Sequence, residues 1–335
     1  MQDEMSKASA WLKPDPYIIA ILLMVVLASL LPVRGEAAIW FSWLTKAAIA
    51  LLFFLHGARL PREHVIAGLV HWRLHLLVLG STFLLFPLLG LGLVQLPTWL
   101  LPEQLAAGVL YLCLLPSTVQ SSIAFTSQAR GNVAAAVVAA STSNLIGVVL
   151  TPLLVGLFLH TTTGGISLKA IQDVAVQILL PFTVGQLVRP WVQGWVQRHA
   201  KLVSYTDRGS ILMVVYGAFS AAVVGGLWKQ VSALELTVLL VICVVLLAVV
   251  LVVTRQAARL MKFSKEDEIV VVFCGSKKGL ATGVPMASIL FPAATVGFIV
   301  LPVMLFHQIQ LMACAVIAQR YGARPGDQAE TRSAS

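Results

Sequence analysis

Apolar runs of about 20 residues, the length one bilayer crossing needs, recur along this chain between short connections rich in charge, Pro or Gly. They fall at roughly 17–33, 38–57, 73–96, 104–128 and 132–158, and again at 170–190, 208–227, 234–257, 268–291 and 295–319. None alternates like a half-buried strand, and each is long enough to span lipid as a helix. The pattern predicts an all-α polytopic membrane protein with ten transmembrane helices.

Composition strengthens this reading. The sequence is 59% hydrophobic and 11% charged, against about 25% charged residues in a soluble domain. The whole chain, 1–335, is therefore read as a single membrane domain whose last residues, 320–335, form a cytoplasmic tail. The net charge of +9 does not point to nucleic acid, because the basic residues are scattered among apolar runs and form no continuous basic face. Topology accounts for them. With both termini in the cytoplasm, nearly every Lys and Arg between spans lies inside, and only Arg34, Lys169 and Lys229 fall on the opposite side. Short loops favour a bacterial inner membrane. The first run is read as a span and not a cleaved signal peptide, since Asp3, Glu4 and Asp15 interrupt the basic region that such a peptide carries. Cys113, Cys243, Cys274 and Cys314 lie singly in apolar stretches and have no metal-ligand spacing.

Five spans precede the Thr161-Thr162-Thr163-Gly164-Gly165 break and five follow it. A unit with an odd number of spans must invert when repeated, so 17–158 and 170–319 are read as two inverted five-helix repeats. The fourth span contains Pro116-Ser117-Thr118-Val119-Gln120-Ser121-Ser122, and the ninth contains Gly275-Ser276-Lys277-Lys278-Gly279. These are corresponding spans. Paired interruptions at corresponding places mark the binding site in many transporters. Helices four and nine are therefore expected to be discontinuous and to cross, because non-helical backbone at membrane depth needs protein or a watery cavity around it.

A lysine at mid-membrane costs about 2.5–3.5 kcal/mol on insertion scales. Lys277 and Lys278 are the main candidates for binding a solute, and with no Asp or Glu deep in a span, an anionic solute is the expected counter-ion. Ser276, Gln120 and His307 join them as candidate solute ligands. Ser143 and Asn144 in the fifth span offer oxygens to a cation or solute, although the same residue types also hold helices together. Gln310 and Gln308 interrupt the tenth span in the same ambiguous way. His71 and His75 have i, i+4 spacing, but nothing completes a metal site. No nucleophile, base and orienter occur together, so no catalytic residue, metal or cofactor is expected.

At the two interruptions the chain resembles the bile acid:sodium symporter superfamily, in the branch of sodium/bile acid cotransporter 7. The likeness rests on 115–122 with Ala129-Arg130-Gly131-Asn132, on Leu150-Thr151-Pro152-Leu153-Leu154, and on Gly275 to Ala281, and it extends over all ten spans. It implies a core containing the crossed helices beside a panel of spans one, two, six and seven. It further implies alternating access, organic-anion substrates, and sodium ligands at Ser121, Ser122, Ser143 and Asn144. The family's ninth-span glutamate and glutamine are replaced here by Val272 and Ser276, with Lys277 in place of a neighbouring amide. A nearby ammonium repels sodium. Lys277 could instead supply that positive charge permanently, or carry a proton as the coupling ion. The function expected is secondary transport of an organic anion. The alternative is a regulatory or scaffold membrane protein of the same fold.

Overall fold

The computed structural model describes residues 16–59, 71–159 and 175–324. The amino-terminal residues, the loop around His64, the Thr161–Gly165 break with the start of the sixth span, and most of the cytoplasmic tail lie outside the described residues. The described chain is helical, with α1 Pro16–Leu30, α2 Gly35–Arg59, α3 Trp72–Leu93, α4 Glu103–Leu114, α5 Gln120–Gln128 and α6 Val133–Phe158 in its first half. The second half holds α7 Leu180–Arg198, α8 Ala200–Val224, α9 Ala233–Leu260, α10 Lys265–Gly275, α11 Leu280–Leu290 and α12 Ala293–Gly322. Among the described residues seven helical stretches are long and apolar enough to cross a membrane.

Their surfaces fit lipid. Leu22, Leu23, Val26, Leu153, Leu157, Val241 and Val245 stand exposed on helices with no polar face beside them. Exposed tryptophans lie near helix ends at Trp40, Trp72, Trp99 and Trp228, as in the aromatic belts at membrane interfaces. Lys46 sits one turn from Trp43 with its ammonium 5.0 Å from that ring. The chain is an integral membrane protein.

Two compact units divide the described helices. One gathers α1, α2, α7 and α8 with residues 284–298. The other gathers α3 to α6, α9, α10 and most of α12. Spans one, two, six and seven share the first unit, as the family likeness implies, but parts of the ninth and tenth spans join them there.

In the first unit α2 and α7 cross at two glycines. A Cβ on Gly57 would lie 2.1 Å from the Phe182 carbonyl oxygen, and one on Gly185 would lie 2.1 Å from that of Phe54. Small residues let membrane helices approach this closely, where backbone packing replaces the missing hydrophobic drive. The sixth span departs from expectation. It was expected to stop at Arg189-Pro190, yet α7 continues to Arg198. Pro190 removes one helix hydrogen bond, but Val192 and Val196 beyond it pack on Phe54, Leu55 and Val203. That burial holds the extra turns. The seventh span likewise starts early, with α8 beginning at Ala200, and its polar first turns are tied to α2 by the Arg59–Asp207 ion pair.

Of the seven stretches, 265–290 is the most enclosed. Ser264 caps α10 by accepting from the Asp267 amide, and Glu268 is gripped by Lys265, Arg259 and the Tyr321 hydroxyl. A tight turn precedes α6. Arg130 has φ of 54°, and the Asn132 carboxamide accepts from the Ala135 amide. Gly131 lies against Ile269, where a Cβ would come within 2.6 Å.

Replacing Gly57 or Gly185 with Leu should lower stability by at least ~1–3 kcal/mol, the usual range for overpacking. Gly80→Ala, whose Cβ meets nothing within 4 Å, should be neutral or slightly stabilising. Thermal unfolding of the three purified variants in detergent checks this, and equal melting temperatures would contradict the close crossing.

Candidate functional site

Both expected interruptions are present. Helix α4 ends at Leu114, the chain runs extended through Leu115, and α5 starts at Gln120. Helix α10 ends at Gly275 and α11 starts at Leu280. The two gaps are joined directly, because the Gly279 amide donates to the Pro116 carbonyl at 2.9 Å.

Each break frees carbonyl oxygens that a continuous helix would have paired. At the end of α4, Leu112 accepts from the Leu115 amide and Leu114 from the Thr151 hydroxyl on α6. Cys113 and Leu115 accept from the Lys278 ammonium, at 2.8 and 2.6 Å. At the end of α10, Phe273 accepts from Ser122, Cys274 from Ser117 and Gly275 from Ser81. Each of these three carbonyls thus takes a hydroxyl proton from another segment. Tyr111 donates its hydroxyl to Gly283 at 2.6 Å.

The loose amides are held as well. Ser143 on α6 accepts from the Ser117 amide at 3.1 Å. Gln310 on α12 accepts from the Lys278 amide through Oε1 and donates to the Lys278 carbonyl through Nε2, at 2.9 and 3.0 Å. In each half, therefore, the helix after the broken one braces the break with a polar side chain.

The two lysines are fully buried and differ in what they touch. Lys278 donates to Cys113, to Leu115 and to Thr82, the last at 2.9 Å. An ammonium has three donors, so none is left over. Its remaining side faces the Phe86 ring, 4.2 Å from the centroid. Thr82 is available for a local reason. Helix α3 passes through a π turn at Ser81–Leu85, where the Phe86 amide donates to Ser81. The next amide in that register would be Pro87, which has no proton. Lys277 has a single carbonyl partner, Ser121 at 2.9 Å, and lies over the rings of Phe125 and Phe273 at 4.0 and 5.2 Å. Neither lysine forms an ion pair among the described residues.

Of the candidates named from sequence, Lys277, Lys278, Ser121, Ser122 and Ser143 come together at the crossing. Ser276 is buried there but donates back to Val272 in its own helix. His307 reaches the crossing through Gln310, with its Nδ1 2.9 Å from the amide nitrogen. Ser121 pairs with Thr118 at 2.7 Å. Asn144 is half-buried, and its Oδ1 has no hydrogen-bond partner among the described residues. Gln120 is exposed at the start of α5. Ser81, Thr82, Tyr111 and Thr151 were not anticipated. For Thr82 the signal was Pro87 five residues on; the other three carry no local signal.

The SBF-like CPA transporter family matches residues 15–323 of this chain. An uncharacterized protein of Pseudomonas aeruginosa, PA2026, is 56% identical over 94% of this chain and 95% of its own length. The Escherichia coli protein named "Putative symporter YfeH" is 54% identical over 92% of each chain. Sodium/bile acid cotransporter 7-B of Xenopus laevis is 26% identical over 91% of each.

Gln310→Leu should leave the Lys278 amide and carbonyl unpaired, at a cost of ~1–3 kcal/mol for each buried group. Gln308→Leu, one residue pair away on the same helix, should cost far less. Chemical or thermal unfolding distinguishes them, and a Gln310→Leu protein as stable as the Gln308→Leu protein would remove Gln310 from the crossing.

Proposed function

Because the chain belongs to the SBF-like CPA transporter family, we propose that it is a secondary transporter moving a small organic anion across the bacterial inner membrane by alternating access. It would do so with ten spans in two inverted five-helix repeats and both termini in the cytoplasm. The observation that carries this reading is the crossing itself, where two broken spans meet and each is braced from the following helix, by Ser143 in one half and Gln310 in the other. The panel helices pair in the same exchanged manner, α2 with α7 and α1 with α8. Such a crossing of discontinuous helices is where transporters of this plan bind solute.

The charge of the crossing supports an anion. Two buried ammonium groups sit there without a carboxylate partner among the described residues, and Lys277 has one carbonyl ligand and donors to spare. Lys277 is the group assigned to the solute. The relatives named as symporters imply a coupling ion. Sodium would draw on Ser121, Ser122, Ser143 and Asn144, and the buried Oδ1 of Asn144 is open to it. A proton would be carried by Lys277. The ninth span has Val272 and Ser276 where the wider family places sodium's acidic and amide ligands, and a fixed ammonium nearby opposes a second cation. The proton is the coupling ion favoured here. No cofactor enters this scheme, and the lipid bilayer is its other partner.

The test is thermal stability of the purified protein against a panel of small carboxylates and sulfated organic anions, in sodium and in choline, across pH. Counterflow in proteoliposomes follows for any anion that stabilises. One anion should stabilise wild type and not Lys277→Ala, independently of sodium, by RT ln(1 + [L]/Kd). Sodium-dependent stabilisation of both proteins would contradict the coupling assignment. No anion effect and no counterflow would favour a scaffold role.

A further inference from the structure

The Lys278 ammonium sits among atoms that look like the ligands of a free cation. Three backbone carbonyl oxygens, from Thr82, Cys113 and Leu115, converge on Nζ at 2.9, 2.8 and 2.6 Å. They come from two separate helices. Two of them belong to the carboxyl end of α4, where the helix dipole places partial negative charge. The face of Phe86 closes the remaining side at 4.2 Å, as aromatic faces do around ammonium ions. Rings of backbone carbonyls are how channel proteins replace the water shell of a monovalent cation. The lysine stem enters from the α10–α11 gap, and its own backbone is fixed on both sides by Gln310.

We infer that Lys278 is a tethered cation that permanently fills a monovalent-cation position built by the π turn of α3 and the broken end of α4. The chain thereby carries in covalent form the charge that a coupling ion would otherwise bring and take away. As a statement about coupling this rests on the transport reading above; as a statement about the site it does not. A role limited to capping a helix end would need hydrogen bonds but no ion-sized, charge-selective space. Truncation of the side chain separates the two. Lys278→Ala opens the position to solvent ions, whereas Lys278→Met refills it with an apolar chain and leaves the carbonyls unpaired.

The experiment is thermal unfolding of purified full-length wild type, Lys278→Ala and Lys278→Met, titrated with ammonium, potassium or sodium chloride, with choline chloride as the ionic-strength control. Lys278→Ala should melt several degrees below wild type and regain at least half of that loss, saturably, with ammonium or potassium. Choline should give none of it. Wild type and Lys278→Met should respond alike to all four salts. Equal effects of ammonium, potassium and choline on Lys278→Ala would overturn the inference, and so would the same ammonium effect on wild type. If Lys278→Ala cannot be recovered folded, Lys278→Gln, which keeps donors but not charge, takes its place. It should melt well below wild type, and a melting temperature equal to wild type would overturn the inference. An anion response in wild type without cation rescue of the alanine variant would leave transport standing and remove the tethered cation. Rescue without any anion response would do the reverse.

Discussion

Inside hydrocarbon, a carbonyl oxygen without a donor costs several kcal/mol, and this chain breaks two helices at that depth. Most of what is unusual about its second unit follows from paying that debt within the protein. The carbonyls released at the end of α4 are taken by Thr151, by the Gly279 amide and by the Lys278 ammonium. Those released at the end of α10 are taken by Ser81, Ser117 and Ser122. The donors come from α3, α5, α6 and the two gaps themselves. The two breaks therefore cannot be satisfied unless those segments assemble around them.

The same constraint explains why a lysine pair is tolerated without acidic partners among the described residues. An ammonium that finds three carbonyl oxygens and a ring face has exchanged its water for ligands of similar geometry, and the negative end of a helix adds to the attraction. Lys277 is less completely supplied, with one carbonyl and two rings. The two adjacent residues thus divide into a fixed charge and a charge with spare donors. Lys277 keeps donors to spare among the described residues, and Lys278 keeps none.

The fold was legible where lipid dictates it. Long apolar runs, and Pro116 and Gly275-to-Gly279 as breaks, were readable, because span length and helix interruption are properties of short segments. Span ends were less so. Arg189-Pro190 reads locally as a stop, but Val192 and Val196 bury against α2 and carry α7 onward. At the site, Lys277, Lys278 and the serines stood out because polar residues in apolar runs are conspicuous. Which carbonyl each one serves depends on helices far apart in sequence, and no local pattern specifies it. Gln120, chosen for its place beside Pro116, shows the limit. It follows the break in sequence yet lies exposed at the first position of α5.

The central claim is that the two non-helical gaps are locked together by hydrogen bonds. Hydrogen–deuterium exchange of the purified protein tests it most directly, read on peptides covering 115–119 and 276–279. The amides of Ser117, Lys278 and Gly279 are buried and paired, so they should exchange as slowly as the helical amides of α10. Exchange of those amides at the rate of the exposed Thr98 and Trp99 amides would contradict the crossing and the account built on it.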